Sequence, residues 1–126
     1  MNIDRTDRWI IIVGKNKSEG NRVIKLIDEK KYKGITVNSI STLEKLLLKK
    51  AYMAVLIDID TIPVKNRELR DLTLKFPESS FLCMSKDKYH PKLKEAICYH
   101  IYACINKPVN SDELFFLLRS IRDDNQ

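Results

Sequence analysis

Met53-Ala54-Val55-Leu56-Ile57-Asp58-Ile59-Asp60 is the stretch that decides the fold. Its apolar run shows neither the alternation of a half-exposed strand nor the spacing of a surface helix, and it stops on carboxylates. A strand apolar on both faces belongs inside a parallel sheet covered by helices on each side. The same signature recurs at Trp9-Ile10-Ile11-Ile12-Val13 before Gly14, and in shorter form at Ile35-Thr36-Val37. It returns at Phe81-Leu82-Cys83-Met84, finishing at Ser85, and at Ala103-Cys104-Ile105, which runs into Lys107-Pro108.

Amphipathic segments fill the gaps. Val23, Ile24, Leu26 and Ile27 form a helical stripe, with Asn16 and Glu19 placed as N-cap and third-position partner and Gly34 read as the stop. Ser41-Thr42-Leu43-Glu44 reads as a capping box opening a second helix with Leu43, Leu46 and Leu47 on one side. Leu69, Leu72 and Phe76 predict a third helix, ended by Pro77. Pro91 suits the first turn of a fourth, through Leu93, Ala96, Ile97 and Cys98, and Asn110 with Glu113 caps a fifth from Ser111 to about Arg122. Such βα alternation predicts an α/β fold: a five-stranded parallel sheet, doubly wound as (βα)5, with right-handed crossovers. In such sheets the site lies beyond the C-terminal ends of the strands. The residues there are Gly14-Lys15, Asp58, Ser85 and Lys107.

Composition narrows the class. At 126 residues, residues 1–126 read as a single domain with its core over about 8–122, able to bury a core without staples. No apolar run approaches the length of a bilayer span, and the first eight residues carry acids and bases rather than an apolar leader, so neither membrane nor export is expected. Three cysteines without a CxxC pair argue against a disulfide framework or a zinc site and for a cytoplasmic setting. Cys83 and Cys104 read as small buried apolar residues, and His90 and His100 as helix-end residues with no ligand partners. The net charge of +6 is spread along the chain; only Lys30-Lys31-Tyr32-Lys33 and Lys49-Lys50 cluster, at expected helix ends, so no direct nucleic-acid surface is read.

An Asp at one strand end, a hydroxyl on the next strand and a Lys beyond it form an anion-handling set. The plainer reading is that Asp58 ends a strand and pairs with Lys107 in a buried ion pair. Here the chain resembles the receiver domains of bacterial two-component response regulators. The resemblance rests on Lys107-Pro108 followed by Val109-Asn110-Ser111-Asp112-Glu113-Leu114, on Val55-Leu56-Ile57-Asp58-Ile59-Asp60 with Pro63 soon after, and on Ser85. It implies that Asp58 stands at the phosphoacceptor position, with Ser85 and Lys107 at the switch and phosphate-contact positions.

The departures from that pattern shape the expected function. Receivers end their first strand with an acidic pair that binds Mg²⁺; the corresponding residues here are Gly14-Lys15. Lys86 follows the hydroxyl where a small residue is usual, and Cys104 replaces the usual aromatic ring. The loop from Asp58 to Pro63 is one residue longer than the common pattern, and Asp60 is the candidate auxiliary carboxylate near the metal position. Lys15 is expected to approach Asp58 and fill the region that Mg²⁺ takes in ordinary receivers. The reading is therefore a degenerate receiver, or pseudo-receiver. It is not an enzyme, has no resident cofactor, and signals through protein partners in a phosphorelay.

Two alternatives stay open. One is an atypical receiver still phosphorylated on Asp58 by a histidine kinase, with Mg²⁺ as its cofactor. The other is a flavodoxin-like protein binding a small ligand. For the output face, the resemblance implies the fourth helix, fifth strand and fifth helix. Leu114, Leu117, Leu118 and Ile121 form the docking stripe of the last helix and Phe116 falls opposite it. With Tyr89 and Leu93, Phe116 is the candidate surface for a homodimer or another partner.

Overall fold

The structure, a computed structural model, describes residues 8–87 and 101–124. The elements run β1 (Trp9–Val13), α1 (Lys17–Asp28), β2 (Lys33–Val37), α2 (Ile40–Lys49), β3 (Ala54–Asp58), α3 (Asn66–Lys75), β4 (Ser80–Ser85), β5 (Ala103–Asn106) and a C-terminal helix, here α4 (Ser111–Asp124). All strand pairs are parallel, in the order β2-β1-β3-β4-β5. The expected doubly wound sheet is the observed one. The expected helix at Pro91 lies outside the described residues.

The central strands are apolar on both faces because both faces are covered. Ile11, Val13, Val55, Ile57, Phe81 and Cys83 face one layer, packed with Leu43 and Leu47 of α2 and Leu69 and Leu72 of α3. The alternate residues Ile10, Ile12, Ala54, Leu56, Leu82 and Met84 face Val23 and Ile27 of α1 and Leu114, Leu118 and Ile121 of α4. A large apolar side chain buried this fully contributes roughly 1.5–3 kcal/mol, so the two layers fix which strand ends stand together. The edge strands are only partly covered. Cys83 is accordingly buried as expected, whereas Cys104 on edge strand β5 is half-buried, correcting its reading as a buried residue.

Two local expectations are also corrected. Gly34 does not stop α1; the helix ends at Asp28, and the chain turns through Lys31 at φ 70°. Gly34 lies inside β2, where a Cβ would collide with the Ile24 and Ile27 side chains, so glycine there permits close packing of α1 on the strand. The cap of α2 is Ser39, whose Oγ accepts the Thr42 N–H at 3.1 Å, rather than Ser41. By contrast, Asn16 accepts the Glu19 N–H and Asn110 the Glu113 N–H, as the spacing predicts.

Candidate functional site

Register assembles the site. Val13 pairs with Ile57 and Met84 with Asp58, so Gly14, one residue beyond β1, falls beside Asp58 at the end of β3. Ser85 pairs with Asn106, which puts Lys107 directly past the end of β5, before a cis peptide to Pro108. Asp58, Ser85 and Lys107 thus converge at adjacent strand ends, the region where this topology places sites.

Asp58 is 1 % exposed. Its Oδ1 accepts from Lys107 Nζ at 2.9 Å and from the Asp60 N–H at 3.1 Å. The second bond is an Asx turn, in which an Asp side chain takes the N–H two residues on. Oδ2 accepts no hydrogen bond, and a Cβ built on Gly14 would lie 3.6 Å from it.

The backbone then winds tightly, with the N–H groups of Thr61 and Ile62 both donating to the Asp58 carbonyl. This turn carries Asp60 over the end of β4. Its Oδ1 accepts from Ser85 Oγ at 2.8 Å; its Oδ2 accepts from the Lys86 N–H at 2.8 Å and lies 3.2 Å from Lys107 Nζ. Asp60, the candidate auxiliary carboxylate, is held by Ser85, the Lys86 N–H and Lys107. The turn after Asp58 is what aims the carboxylate toward β4. Burial pushes the Asp60 carboxyl up, but the hydrogen bonds from Lys86 N–H, Ser85 and Lys107, with the Lys107 charge, outweigh it and hold it below the usual range. Burial likewise pulls the Lys107 ammonium down, and its bonds and attraction to Asp58 and Asp60 outweigh that and raise it.

Lys15 does not approach Asp58 as expected. Its side chain is exposed and, among the described residues, makes no ion pair with Asp58. A Cβ at position 14 would lie against Asp58, whereas the Lys15 side chain, in the bend that follows β1, is exposed. The Lys15 N–H donates instead to Thr61 Oγ1 at 3.1 Å, tying the loop after β1 to the loop after β3. Nothing in the sequence singled out Thr61, because its role depends on the turn after Asp58. The Lys86 side chain is exposed, and its part in the site is played by its backbone N–H, which sequence reading also passes over.

Beside Asp58 a cleft of about 420 Å³ opens between the start of α1 and the end of β2, lined in part by Asn16, Glu19, Asn38 and Thr42. Of the expected stripe the C-terminal helix buries Leu114, Leu118 and Ile121 and leaves Leu117 half-buried, and Phe116, opposite it, is 62 % exposed. Tyr89 and Leu93, the expected neighbours of Phe116, lie outside the described residues.

No protein-family model matches the chain, and no curated protein matches it. Solved structures do. The receiver domain of an HD domain-containing protein from Pseudomonas fluorescens shares 18% identity at TM-score 0.80, over 92% of this chain and 94% of that one. A CheY-like response regulator receiver domain from Methylobacillus flagellatus shares 20% identity at TM-score 0.75, over 90% and 98%. The beryllofluoride-activated NtrC4 receiver domain dimer shares 12% identity at TM-score 0.83, over 94% and 99%. The fold of this chain is the receiver fold.

Proposed function

We propose that the chain is a receiver-like module of a two-component phosphorelay that acts through protein contacts and does not take a phosphoryl group on Asp58 by the ordinary Mg²⁺-assisted route. The observation that carries this is the composition of the ring around Asp58: an ammonium on one oxygen, and a glycine beside the other. Mg²⁺ near a phosphoryl group needs several hard oxygen ligands in near-octahedral array. Here the β1 end supplies no carboxylate, and Asp60 is committed to Ser85, Lys86 and Lys107. These residues do not fit the ion.

Incubating the chain with a small phosphodonor and Mg²⁺ should leave it essentially unlabelled by intact-mass spectrometry. A base-labile adduct on Asp58 would instead establish the atypical, phosphorylated receiver, with a histidine kinase as its partner. The cytoplasmic setting belongs to the same proposal; among the described residues no helix is long and apolar enough to cross a membrane.

For the output face, the exposed Phe116 ring on α4 supports pairing with a second copy of this chain, and the similar NtrC4 receiver domain is itself a dimer. Phe116→Glu should then shift the concentration-dependent mass seen by light scattering toward monomer without changing the melting temperature. Equal, strictly monomeric masses for both proteins would show that this face does not pair.

A further inference from the structure

An ammonium, a hydroxyl and a backbone N–H aimed at one point make an oxyanion cradle, since each offers a hydrogen to the same negative charge. Lys107 Nζ, Ser85 Oγ and the Lys86 N–H form such a set, and the point they share is the Asp60 carboxylate. We infer that Asp60 is the resident anion of this cradle, a carboxylate of the chain itself lodged where a tetrahedral oxyanion would otherwise bind. The contact is an internal block: while Asp60 is in place, no phosphate or sulfate can reach the donors.

The surroundings favour a built site over a chance surface contact. Ser85 is fully buried, and the Lys107 side chain is only 9% exposed. The Ser85 hydroxyl is engaged on both sides, donating to Asp60 and accepting the Asp87 N–H at 3.0 Å, so its rotamer is fixed by the occupant. Asp60 itself is 26% exposed at its side chain, which gives the occupied cradle a path to solvent. Its position is set locally by the Asx turn on Asp58 and the two N–H bonds to the Asp58 carbonyl. The loop that carries the blocking anion therefore hinges on the residue at the phosphoacceptor position. The inference deepens the proposed function and rests on it for the phosphoryl group as the anion displaced; the donor geometry stands without it.

The test removes the occupant. Asp60→Ala and the near-isosteric Asp60→Asn are compared with the wild-type chain by titrating inorganic phosphate, and separately sulfate, at ionic strength matched with chloride. The Lys86 amide is followed by ¹H–¹⁵N NMR. With the competing carboxylate gone, the Ser85 hydroxyl and Lys86 N–H are open and Lys107 keeps only Asp58 as partner, so Asp60→Ala should bind the oxyanion at least about tenfold more tightly than wild type. The saturable shift should centre on Lys86, and adding Ser85→Ala should abolish most of the gain. Asp60→Asn keeps the shape and loses the charge, so it should fold like wild type and show an intermediate gain. Equal affinities in wild type and a folded Asp60→Ala, or a gain that survives Ser85→Ala, would overturn the inference. Phosphodonor labelling of wild-type Asp58 would overturn the proposed function instead, and the two failures are told apart because they are read on different proteins by different measurements.

Discussion

Lys107→Met is expected to lower the stability of the chain by roughly 3–5 kcal/mol, the range for removing one partner of a buried ion pair. The loss comes less from the attraction forfeited than from the charge left behind. Lys107 Nζ touches Asp58 Oδ1 at 2.9 Å and Asp60 Oδ2 at 3.2 Å, and Asp58 is 1% exposed. Without the ammonium, two neighbouring carboxylates share one corner of the molecule and Asp58 keeps a single backbone N–H as partner. The pair Asp58→Asn with Lys107→Met should recover most of the loss, because the fully buried charge is gone and the partly exposed Asp60 carboxylate keeps Ser85 and the Lys86 N–H. Urea denaturation of the wild type, the two single variants and the double variant measures the coupling directly. A loss below about 1 kcal/mol for Lys107→Met would mean the ammonium is worth no more than an exposed one.

The same contrast between local pattern and assembled geometry explains what the sequence did and did not reveal. β1 and β3 were legible because a strand buried on both faces must be apolar at every position, and Trp9–Val13 and Ala54–Asp58 satisfy this. The strand-end residues Asp58, Ser85 and Lys107 followed from topology alone, once the alternation set the sheet. Errors arose where two nearby residues competed for one role. Ser39 and Ser41 both stand near the start of α2, but the chain leaves β2 at Val37, and Ser39, not Ser41 inside the helix, has the extended backbone beside the first free N–H groups. Gly34 looked like a helix stop because glycine favours such ends, yet the turn was taken by Lys31 and the glycine was needed for packing. Lys15 and Asp60 were misplaced for a different reason. Both readings carried a family position over onto a side chain whose direction the loop decides: the Lys15 side chain is exposed in the bend after β1, and the turn after Asp58 swings Asp60 toward β4.

On the proposed reading that Gly14 keeps a divalent ion from the site, restoring a carboxylate there should produce an ion-dependent protein. In Gly14→Asp with Lys15→Asp, the new Cβ at position 14 would stand 3.2 Å from Asp58 Cβ and 3.6 Å from the unpartnered Asp58 Oδ2. The contact is tight, so Asp58 must give by a few tenths of an ångström, but Gly14 does not have positive φ and its backbone accepts a side chain. Without a cation, a second carboxylate against a buried one is repulsive, and the variant should melt below wild type in chelator. With Mg²⁺ the repulsion becomes ligation, and saturation to a hundred times the dissociation constant should return about 2.7 kcal/mol. Wild type should show no such response in a thermal melt with and without Mg²⁺. The single variants locate the effect. Gly14→Asp should carry most of it because a side chain at position 14 lies against Asp58, and Lys15→Asp should carry little because the side chain at position 15 is exposed. An equal Mg²⁺ response from Lys15→Asp alone, or a clear response from wild type, would show that the side of β1 facing Asp58 has been assigned wrongly or that the missing carboxylate is not what bars the ion.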